Sequence, residues 1–304
     1  MKRILFITAI TAILFAASSC SEQKKRTSSP GKLSVFASIL PEAYLINRIG
    51  GDYVETGVMV PKGQDPHNYA PTPNQIMRLG NAVIYFEVGM PLEKSIVQKI
   101  KDGSSKIKFV DVSKGIKRRA MCGSEVECSH KHEHKHDNNE GADPHVWNSI
   151  PNLEIMAKNI CRELAEADPG NANSYNANLK KLLKELKSLN RKIKEILVPY
   201  KGRTFLVFHP AFGYFADCYG LKQEAVEIEG KSPAPKQIAK LIKKARSDNV
   251  KIIFVEPQFN PKSAEAIARS IGGAVVFMDP LPENPIKNFM DIAEKLKRAF
   301  SGKK

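Results

Sequence analysis

The chain has 304 residues, 42% of them hydrophobic, which gives room for two domains and enough apolar material for a sizeable core. It carries 47 Lys and Arg against 32 Asp and Glu, a formal net charge of +15, which points to nucleic acid or an anionic membrane surface as partner. The amino terminus argues against the first. Lys2 and Arg3 precede an apolar run from Ile4 to Ala17, too short to span a bilayer and of the kind that directs export. The run ends in Ala17-Ser18-Ser19-Cys20, small residues before a cysteine as in a bacterial lipobox, with Ala17 where Leu is usual. Residues 1–19 are therefore expected to be a signal peptide and Cys20 the site of lipid attachment. Residues 20–31, rich in Lys and Ser, are expected to be a flexible tether. Export argues against a nucleic-acid partner and places the mature chain outside the cytoplasm, anchored to a membrane in the periplasm or at the cell surface.

From residue 33 the pattern alternates. Strands are predicted at 33–37, 54–60, 82–86 and 107–110, with helices at 42–49, 74–79 and 92–100 between them. Such alternation builds βαβ units on a parallel sheet. Residues 113–142 are polar, charged and His-rich, and read as a long loop. A helix over 152–167 follows. Then Tyr175, Leu179, Leu182, Leu183, Leu186, Leu189, Ile193, Ile196 and Leu197 recur at steps of three and four, one continuous apolar stripe. It predicts a helix over 172–197, roughly 40 Å long at about 1.5 Å per residue, long enough to bridge two domains. Lys180, Lys181, Lys184, Lys187, Arg191, Lys192 and Lys194 lie off that stripe, a solvated face or one drawn to an anionic surface. After Pro199 strands are predicted at 204–208, 225–228, 251–255 and 274–277, and helices at 212–218, 235–248, 261–271 and 284–300. The expected fold is α/β, with two lobes that each hold a roughly four-stranded parallel sheet, joined by one long helix. Residues 32–170 would form the first lobe, 171–199 the linking helix and 200–304 the second lobe.

Seven histidines are present, four of them in the tract His130-Lys131-His132-Glu133-His134-Lys135-His136. The other three have distinct settings. His67 lies just past the second predicted strand, and His209 ends the fifth. Asp279 follows the last strand, while His145 sits on a loop between elements. Open α/β sheets bind ligands beyond the carboxyl ends of their strands. Three neutral imidazoles and one carboxylate fill a tetrahedral Zn²⁺ shell. Imidazole-rich sets suit Zn²⁺ or Cu²⁺, whereas Mn²⁺ prefers more oxygen ligands.

The residues around these positions resemble a known family. Pro66-His67-Asn68-Tyr69 with Pro71, Asp143-Pro144-His145-Val146-Trp147, and Phe208-His209-Pro210-Ala211-Phe212-Gly213-Tyr214-Phe215 are three of its motifs. Phe254-Val255-Glu256-Pro257-Gln258-Phe259 and Asp279-Pro280-Leu281 are two more. In this order they resemble the metal-binding lipoproteins that serve bacterial ABC importers for zinc and manganese, most closely the high-affinity zinc-uptake members. The resemblance implies two lobes joined by a rigid helix, with the metal in the cleft between them and His67, His145, His209 and Asp279 as ligands. Water is the alternative to Asp279 in the fourth position. Manganese members typically have a carboxylate in place of the third histidine, so His209 implies Zn²⁺ as cargo, ahead of manganese or iron. An ABC-type zinc permease in the membrane is the implied partner, and the chain itself is expected to be a monomer. Zinc members often carry a His-rich loop. His130, His132, His134 and His136 would form a secondary, looser zinc site that gathers the metal or senses its excess.

Glu256 reads equally as a support for a ligand imidazole or as a cap for the segment after it. Cys122 and Cys128 are close enough in sequence to pair or to bind metal, whereas Cys161 and Cys218 read as buried thiols. Two other classes compete with capture. A zinc-dependent hydrolase needs an open coordination position and a general base; ligands scattered over both lobes instead suit a closing cleft, and no enzyme activity is expected. An adhesin-like lipoprotein would use the metal to stabilise its fold. Deletion of Lys117–Gly141 is expected to remove the weak zinc sites and leave one tight site, as read by zinc titration of the shortened chain.

Overall fold

Strands alternate with helices in both halves of the computed structural model, which describes residues 31–102, 106–121, 141–227 and 234–302. The expected signal peptide and tether, with Cys20, lie outside the described residues, as do Cys122, Cys128, His130, His132, His134 and His136. The first half runs β1 (Leu33–Ala37), α1 (Leu40–Gly50), β2 (Val54–Val58), α2 (Pro73–Gly80), β3 (Ile84–Glu87), α3 (Pro91–Asp102) and β4 (Lys108–Asp111). Its strands form one parallel sheet in the order β2-β1-β3-β4. Next come α4 (Ile150–Ala167) and α5 (Ala172–Leu197). The second half runs β5 (Thr204–Val207), α6 (Gly213–Tyr219), β6 (Lys222–Ala225), α7 (Pro235–Ser247), β7 (Ile252–Val255), α8 (Lys262–Ser270), β8 (Ala274–Phe277) and α9 (Pro285–Ser301). Its sheet, also parallel, has the corresponding order β6-β5-β7-β8. The expected class and the two four-stranded sheets are therefore present.

Burial follows strand position. Val35, Phe36 and Ala37 of the inner strand β1 are buried, as are Phe205, Leu206 and Val207 of β5. Inner strands of a parallel sheet are covered on both faces and so are apolar throughout. Phe205 and Val207 join an apolar cluster that also holds Phe36, Trp147, Leu186 and Phe289. Leu206 points the other way, into a smaller cluster with Ile253, Val255 and Ile267.

One strand differs from the sequence pattern. The apolar run at 225–228 predicts a strand there, but the ladder pairs Lys222–Ala225 with Thr204–Val207. Polar residues disguise this strand: Glu224 is buried, and its charge is met by Lys244 on α7. The chain then continues along the end of the sheet, where the amides of Val226 and Glu227 donate to the carbonyls of Val207 and Phe208 at 2.9 and 2.8 Å.

The long helix α5 spans the range its apolar stripe predicts and lies between the two lobes. Tyr175, Leu182, Leu186, Leu189, Ile193 and Leu197 are buried, and the helix packs on α1, α4 and α9. At its start Asp168 accepts hydrogen bonds from the Tyr175 hydroxyl at 2.6 Å and the Asn171 amide group at 2.8 Å. Pro199, in the turn Val198–Tyr200, follows its end.

Residues 113–121, read as the opening of a long loop, are held in place. Ile116 is buried. Asn159 Nδ2 donates to the carbonyls of Val112 and Lys114 at 2.8 and 2.9 Å, and Ala120 bridges antiparallel to Ala142. Cys161 is buried and Cys218 half-buried, and both are free thiols. Leu186→Ala, in the fully buried seam of α5, is expected to lower the unfolding free energy by about 2–5 kcal/mol. Lys187→Ala, one residue on and exposed, should stay within about 0.5 kcal/mol of wild type. Urea denaturation of the two variants checks the pair.

Candidate metal centre

In each sheet the chain order reverses beside the inner strand, and the crevice at that switch point is where such sheets receive ligands. In the first sheet the crevice between β1 and β3 is filled by the protein. Ser38 follows β1; its amide donates to Glu42 at 2.7 Å and its hydroxyl to Glu93 at 2.6 Å. Glu93 also accepts from the amides of Val88, Gly89 and Met90 at 2.8–2.9 Å. The histidine of this half comes instead from the loop between β2 and α2. Asp65 accepts from the His67 amide at 3.0 Å and from Asn68 Nδ2 at 2.7 Å, which sets the turn. Thr72 and Gln75 form a capping box at the start of α2. Gln75 also accepts from the Tyr69 hydroxyl and donates to the Met59 carbonyl, both at 2.7 Å, fastening the loop to the end of β2.

In the second sheet the crevice between β5 and β7 carries His209 and Glu256. Both Glu256 oxygens accept from the His209 amide at 3.2 Å. The His209 Nδ1 lies 3.1 Å from Glu227 Oε2, and Phe259 stacks on the ring at 5.2 Å between centroids. His145 lies on the segment before α4. Asp143 Oδ1 accepts from its amide at 3.0 Å and from its Nδ1 at 2.8 Å. Trp147 packs edge-on against the His145 ring at 5.4 Å and donates its indole N–H to the Pro280 carbonyl at 2.7 Å.

These contacts fix two tautomers. A carboxylate only accepts, so Nδ1 of His145 and of His209 each carries a proton, and in the neutral ring Nε2 presents a lone pair. The two Nε2 atoms are 3.1 Å apart. His67 Nε2 lies 3.1 Å from that of His145. The ligating atoms of His67, His145 and His209 all fall within 4.8 Å of one another. A tetrahedral zinc with Zn–N bonds of about 2.0–2.1 Å has N···N edges of about 3.3–3.4 Å, close to the two 3.1 Å separations about His145. Facing lone pairs on His145 and His209 repel, and a cation between them would relieve that repulsion, with the His67 ring within reach as a third donor.

Burial reinforces the arrangement. His145 and His209 are almost fully buried, while His67 is half-buried at the edge of the group. Burial, with His145 and His209 nearby, holds His67 down at about 3. His145 is also lowered, by burial first, against the opposing pull of Asp143. Burial alone would raise Asp143, but the hydrogen bonds and charge from His145, with Arg119, hold it below the usual carboxylate range. Burial pushes Glu256 well above that range, and Glu227 and Asp279 add to the rise. The imidazoles His67 and His145 are thereby kept neutral, the form that binds metal.

Three of the four residues expected as ligands converge. Asp279 follows β8; its Oδ1 accepts from Gln258 Nε2 at 3.1 Å and from the Leu281 amide at 2.9 Å, and the converging set among the described residues is His67, His145 and His209. Of the two readings of Glu256, the support role fits, though it acts on the backbone of His209; Glu227 holds the ring. The displaced strand at 225–228 hid Glu227, which lay in an assumed sheet. The Asp-Pro-His order of residues 143–145 is a local signal for Asp143, since an Asp two residues before a His is placed to accept from its amide, as Asp65 also does for His67, and here reaches the ring as well.

The chain matches the family model described as zinc-uptake complex component A, periplasmic, over residues 35–301. It is 32% identical over 289 residues to the high-affinity zinc uptake system protein ZnuA of Bacillus subtilis (strain 168), covering 91% of this chain and 88% of that protein. It is 29% identical over 303 residues to the manganese ABC transporter substrate-binding lipoprotein PsaA of Streptococcus mitis, covering 93% and 92%. A solved structure described as the crystal structure of ZnuA superposes with a TM-score of 0.80 at 37% identity, covering 88% of this chain and 99% of that one. The chain therefore belongs to the zinc-uptake component A family, extracytoplasmic metal-binding solute-binding proteins of ABC importers, which are transport proteins and not enzymes.

Proposed function

We propose that this chain captures Zn²⁺ outside the cytoplasm and delivers it to a zinc permease of the ABC type, with His67, His145 and His209 as ligands. The observation that carries this reading is the pair of Nε2 atoms of His145 and His209, on rings aimed by carboxylates and held 3.1 Å apart. Three imidazoles with no carboxylate among them favour Zn²⁺ over Mn²⁺, although the relatives include both a zinc-uptake and a manganese protein. In this reading Asp279 or a water completes the shell, and His130, His132, His134 and His136 form the looser secondary site. Residues 32–170 and 200–304 are the two lobes and 171–199 the link; His67 comes from the first lobe and His209 from the second. Parting the lobes reduces the ligand count, which is how a tight site lets go of its metal. Cys20 carries the lipid anchor, and the protein acts as a monomer.

Competitive titration with Zn²⁺ and Mn²⁺ under matched conditions tests the cargo. Zinc is expected to bind more tightly; tighter manganese binding overturns the assignment. Glu227→Gln, which weakens the hold on the His209 ring, is expected to cost about 10–100-fold in zinc affinity. The acid side has a worked sign. Unfolded, His67 takes up a proton near 6.5, but folded only near about 3, so between those values the unfolded state binds more protons and stability falls as pH falls. The stability of the metal-free wild type relative to His67→Ala is therefore expected to decline from about pH 6.5 downward, as read by denaturant melts at pH 7, 6 and 5.

A further inference from the structure

The base of the His-rich insert touches the metal centre through Arg119, a residue that no sequence motif marks. We propose that Arg119 is a positioning residue for metal capture: it fixes Asp143, and through Asp143 the ring of His145, against the second half of the chain. The inference rests on His67, His145 and His209 being the metal site.

The contacts form a closed set. Asp143 is fully buried. Its Oδ1 is taken by the amide and Nδ1 of His145, and its Oδ2 accepts from Arg119 Nη1 at 3.0 Å. Among the described residues Arg119 is the one Lys or Arg paired with this carboxylate. A buried charge stripped of its partner is strongly unfavourable, so without Arg119 the carboxylate would turn toward water and release the ring it aims. The same guanidinium donates from Nε to Asp217 on α6 at 2.9 Å and lies over the Tyr214 ring at 5.8 Å. Tyr214 accepts from the Arg119 amide at 3.2 Å and donates to the Asp143 carbonyl at 2.9 Å, and the Asp143 amide donates to the Arg119 carbonyl at 2.9 Å. Residues 119 and 143 are thus locked by main chain, side chain and the hydroxyl of α6.

Gly213 supplies an independent observation. A Cβ there would fall 1.7 Å from Arg119 Nη1 and 3.0 Å from Asp143 Oδ2; only the missing side chain lets the guanidinium lie against α6. Arg118 holds the other side of the stem, donating to the Ser113 hydroxyl and to the Val88 carbonyl. The forked guanidinium serves two acids at once, which a lysine ammonium on a single flexible stem does poorly.

The test uses the full mature chain, titrated with Zn²⁺ against a competing chelator and with Co²⁺ as a visible reporter of coordination geometry. Arg119→Ala is expected to weaken zinc binding by about 10–100-fold and to shift the Co²⁺ bands. Arg119→Lys should recover part of both, and Asp217→Asn, which removes the charged partner on α6 and leaves the contacts of Tyr214 and Asp143 in place, should give a smaller loss. Wild-type affinity with an unchanged Co²⁺ spectrum in Arg119→Ala overturns the proposal. If that variant does not fold, the same result in Arg119→Lys overturns it. Wild-type affinity in His145→Ala would instead overturn the site itself. A paired deletion gives a second measure: removing 122–140 keeps the tight site, whereas removing 117–141 takes Arg119 with it and weakens that site. The expectation that the longer deletion leaves the tight site intact is revised accordingly, and equal affinity in the two deletions counts against Arg119.

Discussion

The Nε2 atoms of two neutral imidazoles that both present lone pairs cannot rest 3.1 Å apart for their own sake. Neither can then donate to the other, because the one N–H of each ring already donates to a carboxylate, His145 to Asp143 and His209 to Glu227. The protein holds them together with burial, with the stacked ring of Phe259 and with the backbone bonds that Asp143 and Glu256 accept. Much of the surrounding architecture serves that juxtaposition. A cation at the proposed site would relieve that repulsion, and rings already set in place leave little reorganisation to oppose its binding.

The two halves reach this point by different routes. Both sheets have the same strand order, and both have a crevice where that order reverses. The second half leaves its crevice to His209 and Glu256. The first half fills its own with Ser38, Glu42 and Glu93, and so its histidine arrives on a loop from β2. That loop is braced by Gln75 and Asp65, yet His67 remains the most exposed of the three histidines. The proposed metal site thus has two embedded imidazoles and one at its rim, an asymmetry suited to a metal that has to enter and leave.

Much of this was legible in the sequence, and the failures have physical causes. The apolar stripe from Tyr175 to Leu197 gave α5 with its ends, because a helix buried on one face writes its period directly into the chain. His67 and His209 were visible because each lies past a strand end, and His145 because it stands in the Asp-Pro-His-Val-Trp motif of residues 143–147. β6 was misplaced because Lys222, Gln223 and Glu224 carry its pairing under polar side chains, and the neutralising Lys244 lies 20 residues away on another element. Glu227 was lost with it. Arg119 left no local trace: its partners Asp143, Tyr214 and Asp217 are 24, 95 and 98 residues distant, and such a relationship exists only after folding.

Trp147 is the one tryptophan of the chain. It lies edge-on to His145 and is anchored through its indole N–H to Pro280, one residue beyond Asp279. All of the indole light this protein emits therefore originates beside His145, at a ring whose hydrogen bond reaches the segment that carries Asp279. Metal bound at the proposed site would sit one ring away from that indole, so the chain carries its own optical probe and needs no attached dye.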